Sequence, residues 1–255
     1  MPQALVDSWY QNGIVIFGHR GAKDYAPMNT LPSFELAIEQ GVDGIELDVH
    51  RTKDGHLAIV HDFTVDATTD GSGRVTDMTL AELKALDAGS YFDASYKGVQ
   101  IPTLEEVFEA VGKRVIINVE IKSDSPDTDG VEQLVADTIR RHNMRDWVII
   151  SSFDPLTLQR FRAISPDVPI AFIYMPNQKV DTVKMMADMG LKHEVRHPHH
   201  SLVDAAYLAW AKREGYRVNA WLINDAERAA ELKAMGVDAM TTDRPDVVVQ
   251  AVRGS

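Results

Sequence analysis

The stretch DGIELDVH, residues 43–50, alternates apolar and polar side chains as a β-strand does. Successive strand side chains point to opposite faces, so Glu46 and Asp48 share one face and the aliphatic residues share the other. If the aliphatic face packs outward under helices, both carboxylates point inside a sheet, where like charges are unfavourable unless a cation neutralises them. The stretch therefore predicts a buried strand that carries part of a metal site.

Short runs rich in β-branched residues recur along the chain and are separated by amphipathic helical stretches. This alternation predicts parallel strands joined by crossover helices. Eight such strands in 255 residues predict an α/β fold, the (β/α)8 TIM barrel, whose usual length is about 250 residues. We expect one catalytic domain over residues 1–255, with barrel strands at 14–18, 44–50, 115–121, 147–151, 170–174, 191–195, 217–222 and 239–242.

One segment departs from this repeat. After the second barrel strand we expect a short strand at 57–60, a turn-rich stretch at 70–73 and a brief helix near 80–86. These form a small insertion over about residues 62–102, and an insertion after a barrel strand usually shapes the mouth of an active site. His61 lies at its start.

Five acidic and histidine residues fall at or just after strand ends, where barrel enzymes carry their catalytic groups. They are His19, Glu46, Asp48, His61 and Glu120. The run VIINVEIK at 115–122 repeats the alternation and puts Glu120 and Lys122 on one face. Three carboxylates without any cysteine form an all-oxygen set, which suits Mg²⁺ or Ca²⁺ better than zinc. A metal-assisted hydrolase is the leading interpretation, although any one of these residues could belong to a solvated edge strand.

The composition limits the classes of function. A formal charge of -12 and an isoelectric point near 5.1 argue against a nucleic-acid or anionic-membrane surface, because such surfaces need clustered Lys and Arg. The absence of cysteine excludes a disulfide framework and a thiolate nucleophile. No apolar run approaches membrane-spanning length and no signal peptide is apparent, so we expect no membrane insertion and a cytoplasmic location.

A series of motifs along nearly the whole chain resembles the glycerophosphodiester phosphodiesterases of the TIM-barrel class. The matching segments are GHRGA (18–22), NTL (29–31), GIELDV (44–49), VHD (60–62), TTDGSG (68–73), IPTLEE (101–106), NVEIK (118–122), VNAW (218–221), GVD (236–238) and TDRP (242–245). A single HRG would be weak evidence. The ordered series is specific, so the resemblance predicts both the fold and the activity.

The resemblance implies a metal-dependent hydrolysis of glycerophosphodiesters, small-molecule substrates, to glycerol 3-phosphate and an alcohol. It implies that three carboxylates, Glu46, Asp48 and Glu120, bind a divalent ion, usually Mg²⁺ or Ca²⁺. It also implies that His19 and His61 act as general acid and base. For His19 alone, the competing interpretation is a buried histidine bonded to a carbonyl, and for His61 it is a loop histidine capped by its neighbour.

Three further residues are candidate substrate contacts. By the resemblance, Arg20 and Lys122 contact the phosphate, although Lys122 could instead form a structural ion pair with Glu120. Trp221, near a predicted strand end, either packs against the glycerol moiety or belongs to the core. The chain departs from the family at Met28, where the family pattern PENT has a glutamate, and this bears on metal affinity and substrate preference.

A second group of histidines lies near the sixth barrel strand. It comprises His193, His197, His199 and His200. We interpret it as a polar loop at a strand end rather than a metal site, because adjacent residues of an extended strand cannot easily face one ion. His197 or His199 could line the pocket.

Three alternative functions are open at this point. A lysophospholipase D-type phosphodiesterase with a lipid-like substrate would need an apolar channel or lid, for which Tyr91, Phe92, Tyr96 and Met175 are the candidates. A non-catalytic barrel that binds phosphorylated metabolites would be favoured by the loss of a histidine or carboxylate, and none is lost. An aldolase or enolising barrel would typically use a lysine or carboxylate base without the histidine pair.

Overall fold

Strands and helices alternate along the computed structural model, which describes residues 2–177 and 182–254. The strands are β1 (Val15–His19), β2 (Gly44–Arg51), β3 (Leu57–Ile59), β4 (Ile116–Ile121), β5 (Val148–Ser152), β6 (Ile170–Tyr174), β7 (Val195–Pro198), β8 (Arg217–Ala220) and β9 (Ala239–Thr242). The helices are α1 (Pro2–Tyr10), α2 (Leu31–Glu39), α3 (Leu80–Lys84), α4 (Leu104–Val111), α5 (Val131–Arg141), α6 (Pro155–Ile164), α7 (Thr182–Met189), α8 (Ala205–Arg213), α9 (Ala226–Met235) and α10 (Pro245–Arg253).

Eight parallel strands close into a barrel. The hydrogen-bonded order is β1-β9-β8-β7-β6-β5-β4-β2, and β2 pairs in turn with β1. The short strand β3 adds an antiparallel edge to β2, with Val49 opposite Ile59. The predicted (β/α)8 barrel with an insertion after its second strand is confirmed, and its parallel strands bring all their carboxyl ends to one rim.

The aliphatic face of β2 packs outward, as the alternation predicts. Ile45, Leu47 and Val49 are fully buried and belong to the large cluster that joins the strands to the surrounding helices. A smaller cluster is formed by other buried side chains of the strands, including Phe17 of β1 and Ile149 of β5. The outward packing leaves the carboxylates of β2 facing the inside of the barrel.

The predicted strand at 191–195 is wrong in position, because the observed β7 is Val195–Pro198. Glu194 fixes the start of the strand: its carboxylate accepts a hydrogen bond from the backbone N–H of Ile170 at 3.0 Å and pairs with Arg162 at 2.5 Å. The residues before it approach the barrel without joining the ladder. The shift places His197 within the strand, opposite Ile173.

Local signals set the helix starts. Thr103 and Glu106 form a capping box at α4, in which the Glu106 carboxylate accepts from the Thr103 N–H at 2.8 Å. Asp154 caps α6 ahead of Pro155. Among the described residues, no helix is long and apolar enough to cross a membrane.

The insertion has a small core of its own. Between β3 and α4 the chain contains α3, and six buried aliphatic side chains of this segment, including Val65, Val75 and Leu83, pack together with Ala58 of β3. Thr103 also bridges to Ala58 of β3. These contacts hold the insertion against the carboxyl end of β2, beside the mouth of the barrel.

Two buried histidines predict a loss of stability in mild acid. Burial lowers the pKa of His193 to about 4 and that of His197 to about 3. In the unfolded chain both would titrate near the ordinary value of about 6.5, so the unfolded state binds more protons as the pH falls below that value. We expect each histidine to lower the free energy of unfolding by about 1.4 kcal/mol per pH unit between about pH 6 and pH 4.

Urea unfolding at several pH values measures this slope. His193→Gln should reduce it, whereas the matched replacement of His56, whose side chain is half exposed at 50 %, should leave it unchanged. A His193→Gln protein with the original slope would contradict the assignment of the acid sensitivity to this residue.

Candidate active site

Three buried carboxylates meet inside the rim of the barrel. Glu46 and Asp48 come from β2 and Glu120 from β4, where the backbone register puts Asp48 opposite Glu120. One candidate ligand oxygen from each lies within 4.8 Å of the others. The three predicted metal ligands are therefore close enough to share one ion.

The charge balance of this cluster fits a divalent cation. Burial and the charges of Asp48 and Glu120 raise the pKa of Glu46 well above its ordinary value. Burial and Asp48 also raise the pKa of Glu120, although Lys122 opposes the shift. Oxygen donors with excess negative charge are the ligands that Mg²⁺ and Ca²⁺ prefer, so these side chains could hold such an ion.

Two cations lie against the carboxylates. The Arg20 backbone N–H donates to Glu46 Oε2 at 3.0 Å, and its Nε lies 3.3 Å from Asp48 Oδ2. Lys122 Nζ lies 2.7 Å from Glu120 Oε1 and 3.2 Å from Asp48 Oδ1. Although burial favours the neutral acid, Lys122 and Arg20 hold the pKa of Asp48 well below its usual range. Lys122 thus forms the ion pair with Glu120 and also pairs with Asp48, a second member of the carboxylate cluster.

His19 ends β1 and is oriented by a residue that the sequence analysis did not single out. Its Nδ1 lies 2.6 Å from Asp243 Oδ1, and its Nε2 lies 4.0 Å from Glu46 Oε2. Asn224 and Lys23 contact the other oxygen of Asp243, at 2.9 and 3.2 Å. Burial lowers the pKa of His19 although Asp243 opposes it, so a neutral imidazole with its Nδ1–H directed at Asp243 is favoured.

His61 follows β3 at the entrance of the pocket. Its Nδ1 lies 2.7 Å from Asp62 Oδ1, and 33 % of its side chain is exposed. Its backbone carbonyl contacts His50 Nε2 at 3.3 Å. Burial lowers the pKa of His61, and Lys122 acts in the same direction. The side chain is therefore capped by its neighbour and also faces the pocket.

A pocket of about 320 Å³ joins these groups. Its lining comprises His19, Arg20, Glu46, His61, Asn118, Glu120, Phe153, Ile173, Met175, His197, Trp221 and Thr241. The predicted residues Asp48 and Lys122 lie behind this lining, in contact with Arg20 and Glu120. Of the second histidine group, His197 lines the pocket. His199 packs edge-to-face with Trp221, with ring centroids 5.4 Å apart.

The outer wall of the pocket is aromatic. Trp221 stands at 90° to Phe153 with ring centroids 5.7 Å apart, and its Nε1 donates to the His197 carbonyl at 2.8 Å. Trp221 is therefore part of the pocket wall rather than of the closed core. Met175, one of the candidates for an apolar channel, also lines the pocket, whereas Phe153 was not expected there, since nothing local in the sequence distinguishes it from other loop residues.

Met28 occupies the position where the family pattern has a glutamate. Its Sδ lies 3.3 Å from Arg20 Nη1, and its backbone N–H donates to Tyr91 Oη at 2.9 Å. A carboxylate at this position would face the guanidinium directly. In this chain Arg20 forms an ion pair with Asp48, and the Met28 thioether adds no charge beside the guanidinium.

Comparisons with known proteins agree on one family. The sequence pattern of the Glycerophosphoryl diester phosphodiesterase family matches residues 19–247. A glycerophosphodiester phosphodiesterase of Caldanaerobacter subterraneus is 38% identical over 242 residues, which cover 94% of this chain and 98% of that protein. One from Bacillus altitudinis is 35% identical, covering 92% and 96%.

Solved structures lead to the same family. An Oleispira antarctica phosphodiesterase in complex with the product sn-glycerol-3-phosphate is 31% identical with a TM-score of 0.84, covering 95% of this chain and 98% of that one. A glycerophosphodiester phosphodiesterase from Agrobacterium tumefaciens is 28% identical with a TM-score of 0.79, covering 92% and 98%. The similarity thus extends over the whole barrel and its insertion.

Proposed function

The chain belongs to the glycerophosphoryl diester phosphodiesterase family, and we propose that it hydrolyses glycerophosphodiesters to glycerol 3-phosphate and an alcohol with the help of Mg²⁺ or Ca²⁺. One observation carries the proposal: three buried carboxylates lie within 4.8 Å of one another, and two of them, Glu46 and Glu120, line a pocket together with His19, His61 and Arg20. A divalent ion held by these carboxylates would supply positive charge next to a phosphoryl oxygen.

Arg20 and Lys122 are proposed to position the phosphate and to balance its charge. The Arg20 guanidinium lines the pocket, and guanidinium groups bind phosphate oxygens in a fixed geometry. Lys122 is almost fully buried between Asp48 and Glu120. Although burial opposes it, the two carboxylates raise the pKa of Lys122, so the ammonium keeps its charge beside the reacting phosphate.

His19 and His61 are proposed to move the two protons. One accepts the proton of the nucleophile and the other protonates the leaving alcohol, a division of labour that contributes about 100- to 10,000-fold in many enzymes. By family analogy the nucleophile is the substrate's own glycerol hydroxyl, whose attack releases the alcohol and leaves a cyclic phosphate that water then opens to glycerol 3-phosphate. Trp221 forms the apolar wall against which the organic part of the diester packs.

Release of glycerol 3-phosphate from glycerophosphocholine and from glycerophosphoethanolamine tests this function. We expect release with Mg²⁺ or with Ca²⁺ and none after treatment with EDTA. Restoration by one ion and not the other would identify the cofactor. A folded protein that releases no product with either ion would contradict the proposal.

Asp243 is predicted to act through His19. Because Asp243 Oδ1 receives the Nδ1–H of His19 at 2.6 Å, it fixes which ring nitrogen faces the carboxylate cluster. Asp243→Asn can donate to Nδ1 and so stabilise the wrong tautomer, and we expect kcat to fall by about 100-fold or more. Steady-state kinetics should show KM nearly unchanged. A matched Asp238→Asn replacement, near the opposite end of β9, should keep the original kcat.

Exposed apolar residues support one second candidate, a phosphodiesterase that accepts a lysophospholipid. Met175 lines the pocket and is 41% exposed, and Tyr91 and Phe92 of the insertion are 39% and 36% exposed. Choline release from lysophosphatidylcholine, compared with that from glycerophosphocholine under the same conditions, separates the two substrates. The complete set of histidines and carboxylates in one pocket argues against a non-catalytic role.

A further inference from the structure

Four residues of the pocket lining come from inner positions of barrel strands, below the rim, and we call them the pocket floor. They are Asn118 of β4, Ile173 of β6, His197 of β7 and Thr241 of β9. Interior layers of TIM barrels are dominated by bulky branched apolar side chains. Three polar residues out of four are unusual at this depth, and they suit a ligand that carries hydroxyl groups.

The polar residues of the floor differ in their partners. Thr241 Oγ1 donates to Asn219 Oδ1 at 3.1 Å, and Asn219 Nδ2 lies 3.5 Å from His197 Nε2. Asn118 is 2% exposed, and its Oδ1 has no hydrogen-bond partner within the part of the chain that the structure describes. A buried carbonyl oxygen without a partner is unfavourable, so its presence in a pocket points to a ligand that pairs with it.

We propose that Asn118 determines specificity for the glycerol moiety, because its amide oxygen accepts a hydrogen bond from a glycerol hydroxyl. The assignment rests on the proposed function. The backbone register places Asn118 opposite Glu46, and Asn118 precedes Glu120 by two residues on the same face of β4. A hydroxyl bonded to Asn118 would therefore lie beside Glu46, next to the carboxylate cluster and in the pocket that Arg20 also lines.

Calorimetric binding of sn-glycerol 3-phosphate and its two deoxy analogues, propane-1,2-diol phosphate and propane-1,3-diol phosphate, tests the proposal. We expect the protein to bind glycerol 3-phosphate about 10- to 100-fold more tightly than one of the analogues, because the analogue leaves the amide oxygen unpaired. Asn118→Leu, which is similar in size and lacks the acceptor, should bind glycerol 3-phosphate and that analogue equally.

Ser151→Ala is the matched control. Ser151 lies on the neighbouring strand β5, and its buried Oγ also has no partner among the described residues, but it is not part of the pocket lining. We expect this variant to keep the original preference for glycerol 3-phosphate. Loss of the preference in both variants would show a general effect on the barrel interior and would overturn the assignment.

Three other results would overturn the proposal. The proposal is overturned if the unaltered protein binds all three ligands equally or binds none of them. It is also overturned if Asn118→Leu keeps the preference for glycerol 3-phosphate. Weaker Mg²⁺ binding by Asn118→Leu with an unchanged preference would assign Asn118 to the metal site instead. Choline release from glycerophosphocholine, measured in parallel, reports on the proposed function separately, since hydroxyl preference without turnover contradicts only that function.

Discussion

Replacing His19 by glutamine is expected to lower kcat for glycerophosphocholine by about 100- to 10,000-fold, because the variant can no longer transfer a proton at this position. The side chain lies at the carboxyl end of β1, with Nε2 4.0 Å from Glu46 Oε2 and Nδ1 held by Asp243. Binding of the substrate depends on the carboxylates and Arg20, which the substitution leaves in place. Steady-state kinetics at saturating metal should therefore show a loss in kcat with KM nearly unchanged.

His142→Gln is the control for this experiment. His142 packs edge-on against Phe108 with ring centroids 5.9 Å apart and lies outside the pocket. It should keep the original kcat. The loss of kcat in His19→Gln can be compared between two glycerophosphodiesters, one that releases choline and one that releases p-nitrophenol. A general acid becomes dispensable with p-nitrophenol, the better leaving group, whereas a general base does not. Full activity of His19→Gln toward both esters would contradict any proton-transfer role.

Replacing Glu46 by glutamine is expected to have opposite effects on stability and on activity. Burial and the charges of its two neighbours raise the pKa of Glu46, so its ionised form destabilises the metal-free protein at neutral pH. Removing the charge should raise the thermal midpoint of the metal-free protein. The same change removes a metal ligand, and we expect kcat/KM to fall by about 100-fold or more because ion binding is weakened.

Thermal unfolding with and without Mg²⁺ or Ca²⁺ measures both parts of this prediction. The unaltered protein should gain about 2.7 kcal/mol of stability at a metal concentration 100 times the dissociation constant. Glu46→Gln should gain little at that concentration. A variant that retains the full metal response would remove Glu46 from the proposed site.

Glu132→Gln provides a control in which removal of a buried carboxylate charge is expected to lower the stability of the protein instead of raising it. Glu132 is also buried, at 2% exposure, but its Oε1 pairs with Arg160 Nε at 2.5 Å away from the carboxylate cluster. Removing the Glu132 charge takes away the closest partner of the Arg160 guanidinium and leaves it only the more distant Asp154, at 3.6 Å, which is destabilising. This variant should therefore melt earlier and keep the full response to metal. The contrast separates a carboxylate that needs an ion from one that already has a protein cation.

Several features of the site could be predicted because their signals are local. Glu46 and Asp48 share a face because side chains alternate along one strand. The position of β7 could not be predicted in this way, since it depends on Glu194 bonding to the backbone of Ile170. That shift places His197 within the strand, where it lines the pocket; the sequence had left either His197 or His199 as a candidate for this place.

The sequence by itself determined the barrel and the insertion, because hydrophobic periodicity and helix caps act over a few residues, and its resemblance to one family supplied the carboxylates and histidines as candidate site residues. Only the tertiary structure decided what those groups contact. His19 and Asp243 are 224 positions apart in the chain, and they meet because β1 and β9 close the barrel. The surroundings of Asn118, whose amide oxygen has no partner among the described residues, and the aromatic wall of Phe153 and Trp221 likewise arise from separate strands and loops. No local pattern encodes which side chains a closed barrel brings face to face.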